Sequence, residues 1–513
     1  MNHETALRSA CHGDPPLSAR LEPWMRELLA DPAACRELLE EFGSPLNVHD
    51  FTALPRNARD LTSVAEAQGV DFRIFVARKA NKTLGLVRAA HRAGLGLDVG
   101  SERELRQVLD AGLPPQDVVV TAAIKPDPLL RLVLESRSLL VLDNLDEVAA
   151  ARRLADELAP PAQGGVGEGA VEPFPVALRL APRPTDLIPA TRFGESAETW
   201  LHLIDAGGIG PRLEVQGVHF HLHGYDPAAR AEAVGEALEL IDSLRHRGLA
   251  MHDAFVDIGG GVPMSYLESA EEWEAFWTAH DAGTAASAPP SAPSPHALRS
   301  SGEPRESPVW RGEPLRQVYP YHQRTLRGGW LEAVLGQEIR PGTTAGRALR
   351  DRRVQLRCEP GRSMLDGCGL TLARVIQRTS TSDGVPLVGL EMNRTQCRST
   401  SDDFLVDPVL VRAGIDRSEP LAGYLVGAYC IEAELILRRR LVFPQGVAVG
   451  DVIALPNTAG YLMHILESAS HQIPLASNVE RMPAEEGVAG EVRGVVRDEI
   501  DLVAPMRPWR AGP

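Results

Sequence analysis

Residues 72–77 read FRIFVA, a short apolar run that contains β-branched side chains, and an amphipathic stretch from Thr83 to Ala93 follows it. This pattern predicts one strand followed by one helix, which stops at Gly94. The unit then repeats, because Leu95–Val99 is again strand-like and leads into Ser101-Glu102-Arg103-Glu104. Those four residues form a capping-box pattern that opens a second helix. The alternation of strand and helix is typical of an α/β fold.

Strand-like runs alternate with helical stretches through most of the first two thirds of the chain. The eight candidate strands are Phe72–Ala77, Leu95–Val99, Asp117–Thr121, Leu139–Asp143, Val176–Ala181, Val215–Leu222, Ala254–Ile258 and Val354–Cys358. Eight such units predict a (β/α)8 barrel of the TIM type. In this architecture the residues that carry chemistry lie on the loops at the carboxyl ends of the strands.

The remaining segments predict a second, all-β domain and two insertions. Residues 160–173 and 281–314 are low in complexity, so we expect a flexible loop and a largely disordered insertion there. Beyond Thr371, short β-like runs separated by turns indicate a Greek-key-like β-barrel, which the strand-like segment 45–49 is expected to join. The predicted divisions are an extension at 1–44, a joining strand segment at 45–60, the barrel at 61–362, the β domain at 363–480 and a tail at 481–513.

Composition excludes several classes of function. Lys and Arg total 53 against 69 Asp and Glu, a net charge of −16, which disfavours binding to nucleic acid or to an anionic membrane surface. The apolar runs are shorter than a bilayer requires, and residues 1–16 contain no apolar leader, so we expect a cytoplasmic protein. The six cysteines form no C-x-x-C pair, which argues against a thiolate zinc site or a disulfide scaffold.

Three groups at predicted strand ends suit one another chemically. Lys79, one of only three lysines, follows the first barrel strand and could form a Schiff base. The triplet Gly259–Gly261 lets backbone N–H groups approach a phosphate, and Glu359-Pro360-Gly361-Arg362 supplies a carboxylate and a guanidinium. Taken singly, the triplet could be a plain turn and the other two could be solvated loop residues. Their shared position favours a site.

Seven segments in chain order resemble motifs of a known family. They are Phe75-Val76-Ala77-Arg78-Lys79-Ala80-Asn81, Gly96-Leu97-Asp98-Val99-Gly100-Ser101-Glu102-Arg103-Glu104-Leu105, Gly217-Val218-His219-Phe220-His221, Asp257-Ile258-Gly259-Gly260-Gly261, Glu359-Pro360-Gly361-Arg362, Val426-Gly427-Ala428-Tyr429-Cys430 and Ala459-Gly460-Tyr461. The chain is similar to the fold-type III pyridoxal-phosphate enzymes, which have the alanine racemase-like fold. The closer resemblance is to the ornithine/diaminopimelate/arginine decarboxylase branch, as an atypical member, over roughly residues 45–475.

The resemblance implies a cofactor, a set of site residues and an assembly. Pyridoxal 5'-phosphate would be held by Lys79 as a Schiff base, and Cys430 would reprotonate Cα after decarboxylation; no metal is required. The cofactor-binding residues would be Lys79, Asp98, Arg179, His221, Gly259, Gly260, Gly261, Glu359, Gly361, Arg362 and Tyr461. Glu359 would pair with the pyridine nitrogen and His221 would stack on the ring. Because the family supplies the Cys430 position from a partner subunit, a homodimer with shared active sites is implied.

Two departures from the family pattern leave the amino-acid substrate open. Where basic amino-acid decarboxylases carry an acid after the cysteine, this chain has Ile431, and the nearby acids Glu432 and Glu434 are the candidates to replace it. After His221, the family's glycine-serine step is replaced by a segment that begins Leu222-His223. The leading prediction is therefore a decarboxylase of an amino acid or an amino-acid derivative.

Two other functions compete with decarboxylation. A racemase of the same fold would need a second base opposite Lys79, usually a tyrosine, whereas this chain carries the cysteine motif of the decarboxylases. A non-catalytic cofactor-binding or regulatory homologue is the other alternative. Such proteins usually lack the β domain or the cofactor ligands, and this sequence is predicted to contain the domain and most of the ligands.

Overall fold

The computed structural model describes residues 7–158, 172–285, 307–315, 318–399, 404–414, 419–482 and 493–502. The chain divides into two compact units. One consists of residues 54–263 and 325–364 and contains the predicted barrel. The other consists of residues 1–53, 264–324 and 365–513 and contains the predicted β domain.

The strands of the described residues are numbered in chain order. They are β1 (His12–Gly13), β2 (Leu46–His49), β3 (Phe72–Ala77), β4 (Gly96–Val99), β5 (Val118–Val120), β6 (Leu139–Leu142), β7 (Phe174–Arg179), β8 (Leu213–His219), β9 (Phe255–Asp257), β10 (Glu338–Arg340), β11 (Thr343–Thr344), β12 (Gln355–Cys358), β13 (Gly369–Ser380), β14 (Pro386–Leu390), β15 (Val409–Val411), β16 (Leu421–Val426), β17 (Leu441–Phe443), β18 (Val452–Pro456), β19 (Ser477–Arg481) and β20 (Val495–Arg497).

The helices are numbered in the same way. They are α1 (Pro23–Leu29), α2 (Pro32–Phe42), α3 (Leu54–Ala67), α4 (Leu84–Arg92), α5 (Glu102–Asp110), α6 (Asp127–Ser136), α7 (Leu145–Leu158), α8 (Ala197–Asp205), α9 (Pro227–His246), α10 (Ala270–Ala285), α11 (Arg327–Gly336) and α12 (Ala345–Arg352). Local sequence sets several starts. Ser101 accepts a hydrogen bond from the Glu104 amide before α5, and Asp226 accepts one from the Ala228 amide before α9, where Pro227 suits the first helical position.

The barrel prediction is confirmed. Parallel strands close in the order β12-β3-β4-β5-β6-β7-β8-β9, and β12 pairs with both of its neighbours, β3 and β9. Each predicted strand corresponds to one of these eight. The prediction succeeds because strands that alternate with amphipathic helices carry a strong local signal. All eight carboxyl ends consequently lie at one end of the ring, as the site prediction requires.

Large side chains fill the barrel interior, and glycines make room for them. Phe75, Val119, Leu139, Val141, Ala177 and Phe255 form a buried cluster. A Cβ added at Gly96 would collide with the Phe75 ring, and one added at Gly217 would collide with the Phe255 ring. These glycines therefore serve close packing inside strands, where glycine otherwise weakens a strand.

The other unit is built around the long strand β13. It pairs antiparallel with β2, β14 and β18, so the predicted joining of the N-terminal strand to the β domain is confirmed. Strand β2 also pairs in parallel with β19, which pairs with β20. The sequence analysis did not identify β19 or β20 as strands, because both are short and β19 pairs with β2, near the start of the chain.

The predicted insertions are only partly described. Residues 281–285 form the last part of helix α10, although the sequence predicts a largely disordered insertion over residues 281–314. The helix extends into this segment because alanine, which is frequent there, favours a helix. A 3-10 turn occupies Trp310–Gly312. Residues 159–171 and 286–306 lie outside the described residues. Among the described residues, no helix combines the length and apolar character needed to cross a bilayer.

A buried ion pair ties the loop after β5 to helix α7. Lys125 Nζ lies 3.0 Å from both carboxylate oxygens of Glu147, and the Lys125 side chain is fully buried. Glu147 also accepts a 2.7 Å hydrogen bond from the Asp143 amide. Burial lowers the pKa of Lys125 and raises that of Glu147, while their mutual attraction opposes both shifts. Removing either partner would leave an uncompensated buried charge.

We expect Lys125→Met to lower the free energy of unfolding by about 3–5 kcal/mol, because Glu147 would lose its counter-ion in a buried position. The double variant Lys125→Met/Glu147→Gln should recover most of that loss, because glutamine is neutral and can still accept from the Asp143 amide. Urea unfolding of the two variants and the parent chain measures both effects. Equal losses in the single and double variants would contradict this account of the pair.

Candidate active site

Lys79 follows β3 directly and lies in a short 3-10 turn, Arg78–Ala80. Its amine donates a 2.8 Å hydrogen bond to Asp98 Oδ2 on β4, and Thr121 Oγ1 donates to the other Asp98 oxygen. The Asp98 side chain is buried, whereas about half of the Lys79 side chain (49%) is exposed. The amine is therefore held in place at its end yet remains accessible, as a nucleophile requires.

A buried cluster of two carboxyl groups and one imidazole lies at the ends of β8, β9 and β12. Oxygen and nitrogen atoms of His219, Asp257 and Glu359 lie within 4.8 Å of one another, and all three side chains are buried. His219 Nε2 is 3.1 Å from Glu359 Oε1, but neither atom has hydrogen-bond geometry to any described residue. The cluster therefore contains polar atoms whose hydrogen-bonding capacity is unused, which is uncommon in a protein interior.

Burial governs the ionisation of this cluster. Desolvation, followed by the charge of Asp98, raises the pKa of Glu359 to about 8. Desolvation, followed by the charge of Glu359, raises the pKa of Asp257 to about 7. Desolvation lowers the pKa of His219 to about 3, so its ring is neutral at pH 7. Such perturbed groups, gathered at the carboxyl end of a barrel, are typical of a functional site.

The glycine triplet forms a tight turn after β9. Gly259 and Gly261 have φ angles of 65° and 81°, in the left-handed region that glycine adopts without strain. Asp257 Oδ1 accepts a 2.9 Å hydrogen bond from the Gly259 amide, and the Gly260 amide donates to His221 Nδ1 at 3.3 Å. Burial lowers the pKa of His221, so its ring is neutral and can accept this bond.

The remaining predicted cofactor-binding residues of the barrel unit lie at the carboxyl ends of the strands or in the loops that follow those ends. Arg179, at the end of β7, donates a 2.8 Å hydrogen bond to Asp143 Oδ1, and both side chains are buried. Gly361 and Arg362 follow Glu359 in the loop after β12, where Gly361 is buried and Arg362 is half-buried. Tyr461 apart, the predicted cofactor-binding residues, ten in number, therefore all lie in the barrel unit.

Cys430, Glu432, Glu434 and Tyr461 lie in the other unit. Cys430 is exposed and, with Glu432 and Glu434, lines a groove of about 1040 Å³. The two acids differ. Glu432 is exposed, whereas Glu434 is buried and accepts a 2.8 Å hydrogen bond from the Arg394 amide. Burial also raises the pKa of Glu434.

Sequence reasoning assigned no role to His219, Asp257 or Thr121. His219 and Asp257 lie inside two of the quoted motifs. For His219 the available signal was its spacing from His221, because residues two positions apart on an extended strand lie on the same face. Thr121 carried no signal of its own, because its contact with Asp98 depends on the pairing of β4 with β5.

Comparison with known proteins is consistent with this site. Residues 56–287 match the family described as pyridoxal-dependent decarboxylase, pyridoxal binding domain. An uncharacterised protein of Sinorhizobium fredii is 29% identical over 472 residues, covering 90% of this chain and 93% of the relative. Diaminopimelate decarboxylase of Zymomonas mobilis is 24% identical over 486 residues, covering 92% and 94%. The crystal structure of diaminopimelate decarboxylase from M. jannaschii with L-lysine has a TM-score of 0.64 at 18% identity, covering 90% of each chain.

The residues of the barrel unit suit pyridoxal phosphate chemically. The buried carboxyl of Glu359 has an oxygen without a hydrogen bond from any described residue, which could accept one from a protonated ring nitrogen. The glycine turn has no Cβ atoms that would keep a ligand away from its backbone, and Lys79 provides an accessible amine. Residues 56–287 therefore match the pyridoxal-binding domain of the pyridoxal-dependent decarboxylases both in sequence and in the chemistry of their side chains, and the cofactor that they suit is pyridoxal 5'-phosphate.

Proposed function

We propose that this protein is a pyridoxal-phosphate-dependent carboxy-lyase that decarboxylates an amino acid or an amino-acid derivative. The observation that carries the proposal is the arrangement at the carboxyl ends of the barrel strands, where an accessible lysine amine occurs together with a buried carboxyl that has an oxygen without a hydrogen bond from any described residue. Bound pyridoxal phosphate supplies an electron sink for the bond that breaks at Cα. The roles that follow concern the side chains of this chain.

Lys79 provides the amine that holds the cofactor, and Asp98 orients that amine. The 2.8 Å contact with Asp98 Oδ2 keeps the amine at the strand ends, and the Thr121 hydroxyl fixes the Asp98 carboxylate from its other side. Asp98 and Thr121 therefore act as positioning residues. Lys82 follows only three residues later and so provides a matched control amine.

Glu359 holds the proton at the ring nitrogen. A carboxyl whose pKa is raised by burial shares a proton readily with a pyridine nitrogen, and an ionised Glu359 would stabilise the ring's positive charge. His221 is neutral, so it can pack against the ring face without adding charge. Gly259–Gly261, Gly361 and Arg362 would bind the phosphate group, and Tyr461 is proposed to join them.

Cys430 returns a proton to Cα, and the substrate is recognised near it. The thiol is exposed in the groove, whereas Cys397, another free cysteine of the same unit, is buried. Ile431 and Glu432 are also exposed there, while Glu434 is engaged by the Arg394 amide. These contacts favour Glu432 over Glu434 as the acid that would bind a distal ammonium. We propose that two copies of the chain form a homodimer and share their active sites.

The proposed reaction can be tested by incubating the full chain with pyridoxal phosphate in heavy water and a panel of L- and D-amino acids and their derivatives. Mass spectrometry should find a product that has lost carbon dioxide and gained one deuterium at Cα. Deuterium at Cα without loss of mass would instead indicate racemisation. No change in any compound, together with bound cofactor, would favour a non-catalytic homologue.

Lys79→Ala should abolish both turnover and the visible absorbance of the enzyme-bound cofactor, because the amine that holds it is lost. Lys82→Ala should retain the absorbance. Both signals are read from absorption spectra of the purified proteins after removal of free cofactor. An unchanged visible band in Lys79→Ala would contradict the assignment of this lysine.

Cys430→Ala should retain the bound cofactor but lose faithful delivery of the proton to Cα, because the thiol proposed to supply that proton is gone. Its product should then be a mixture of species protonated at different atoms, detected by mass spectrometry and NMR, whereas Cys397→Ala should give the parental product. If the sites are shared between subunits, mixing Lys79→Ala with Cys430→Ala should raise formation of the parental product above the level given by either variant alone. A mixture that forms no more parental product than Cys430→Ala alone would contradict shared sites.

Glu359 should make the cofactor-free protein less stable as pH rises from 6 to 8. Because its pKa in the folded chain is raised to about 8, the folded state retains the proton that the unfolded state has already released. Its contribution to stability is complete below pH 4 and is lost progressively as pH rises towards 8. Urea unfolding should show a shallower pH dependence for Glu359→Gln. Parallel curves for the two proteins would argue against the raised pKa.

A further inference from the structure

Arg230 is a buried cation that the proposed mechanism does not use. It lies near the start of α9, the helix that follows β8, and only 1% of its surface is exposed. Charged side chains are seldom buried so completely unless they are paired with an opposite charge. The contacts of Arg230 are therefore informative about its role.

The guanidinium of Arg230 links two loops at the strand ends. Nη1 donates a 2.7 Å hydrogen bond to the carbonyl of Ile258, which precedes the glycine turn. Nη2 donates to the carbonyls of Leu222 at 3.3 Å and Gly224 at 3.2 Å, in the loop that follows His221. One rigid planar group thus fixes the separation of these two loops.

The glycine turn lies directly against this guanidinium. A Cβ at Gly261 would come within 2.5 Å of Arg230 Nη2, so the turn can approach the cation only because this residue is glycine. Trp330 supports the arrangement from α11. Its ring centroid lies 5.6 Å from the Arg230 guanidinium carbon, and its indole N–H donates a 2.8 Å hydrogen bond to the Tyr225 carbonyl.

The charge of Arg230 is not neutralised by a neighbouring acid. Within the part of the chain that the structure describes, its hydrogen bonds go to backbone carbonyls and no carboxylate lies within ion-pair distance. Burial lowers its pKa to about 10, so the group still carries its proton at pH 7. A buried positive charge behind a glycine turn provides a favourable field for an anion bound at that turn.

We propose that Arg230 is a positioning residue for a phosphoryl group, which holds the 222–224 loop and the Gly259–Gly261 turn in register and supplies the compensating positive charge behind them. The inference rests on the proposed function in one respect, namely that this turn receives the phosphate of the cofactor. It assigns to Arg230 a role in recognition of the phosphate and none in recognition of the pyridine ring.

The test compares two ligands that differ only in the phosphate group. The full chain freed of cofactor is titrated with pyridoxal phosphate and with pyridoxal, and binding is followed by visible absorbance. Arg230→Met should weaken binding of pyridoxal phosphate about 10- to 100-fold, as expected for loss of charge-assisted hydrogen bonds, while pyridoxal binding changes little. Arg230→Lys, which keeps the charge but loses the fork, should fall between the parent and Arg230→Met.

Arg245 provides a matched control on the same helix. It donates hydrogen bonds to the carbonyls of Arg352 at 3.2 Å and Met251 at 3.1 Å, near the other end of α9. Arg245→Lys should leave the ratio of the two ligand affinities unchanged. If Arg230→Met does not fold, Arg230→Lys and Trp330→Phe, which removes the indole donor to Tyr225, provide the same comparison.

Inorganic phosphate gives a readout that does not involve the cofactor. It should raise the thermal midpoint of the parent chain more than that of Arg230→Lys. Equal weakening of pyridoxal phosphate and pyridoxal by the Arg230 variants would overturn the inference, because it would indicate general support of the fold. If the parent chain binds pyridoxal phosphate, that result leaves the proposed function intact, whereas failure of the parent to bind it would overturn both.

Discussion

Pairing of the last barrel strand, β12, with the first, β3, closes the ring on which the site depends. Cys358 lies opposite Ile74 in this pairing, and β12 also pairs with β9. Closure brings the loop that carries Glu359 to the same end as the loop that carries Lys79, although the two residues are far apart in sequence. The charge of Lys79 consequently contributes to the pKa of Glu359. Without the β12–β3 pairing, the strand that precedes Glu359 and the strand that precedes Lys79 would lie at opposite edges of an open sheet.

Charges inside the barrel unit fall into two groups. Lys125 with Glu147 and Arg179 with Asp143 are buried pairs in which each charge has a partner. Glu359 has a buried oxygen without a hydrogen bond from any described residue, and the hydrogen bonds of buried Arg230 go to backbone carbonyls rather than to a carboxylate. Buried polar groups without a full set of partners are costly in a medium of low dielectric constant, so a ligand that supplies the missing partners best explains them. A cofactor with a basic ring nitrogen and a phosphate group would supply both.

The groove proposed to select the substrate lies in the other unit. The groove that contains Cys430 presents Ile431 and Glu432 to solvent, and the Glu434 carboxylate is used to bind the backbone of Arg394. Gly427 is required there, because a Cβ at that position would collide with Glu434. Ile431, which replaces the acid of the basic amino-acid decarboxylases, therefore lies in the exposed part of the loop. Glu434 lies in the buried part, and its carboxylate orders the loop.

The sequence by itself determined the eight barrel strands and the candidate lysine. The strands follow from local periodicity and glycine positions, and the lysine stands out because the chain contains only three. Only the tertiary structure decided that His219, Asp257 and Arg230 lie beside the predicted residues. Their pKa shifts and hydrogen bonds depend on burial and on pairing between distant strands, and neither can be read from neighbours in the chain. Strands β19 and β20 escaped prediction for the same physical reason, since short strands are stabilised by partners that the local sequence does not specify.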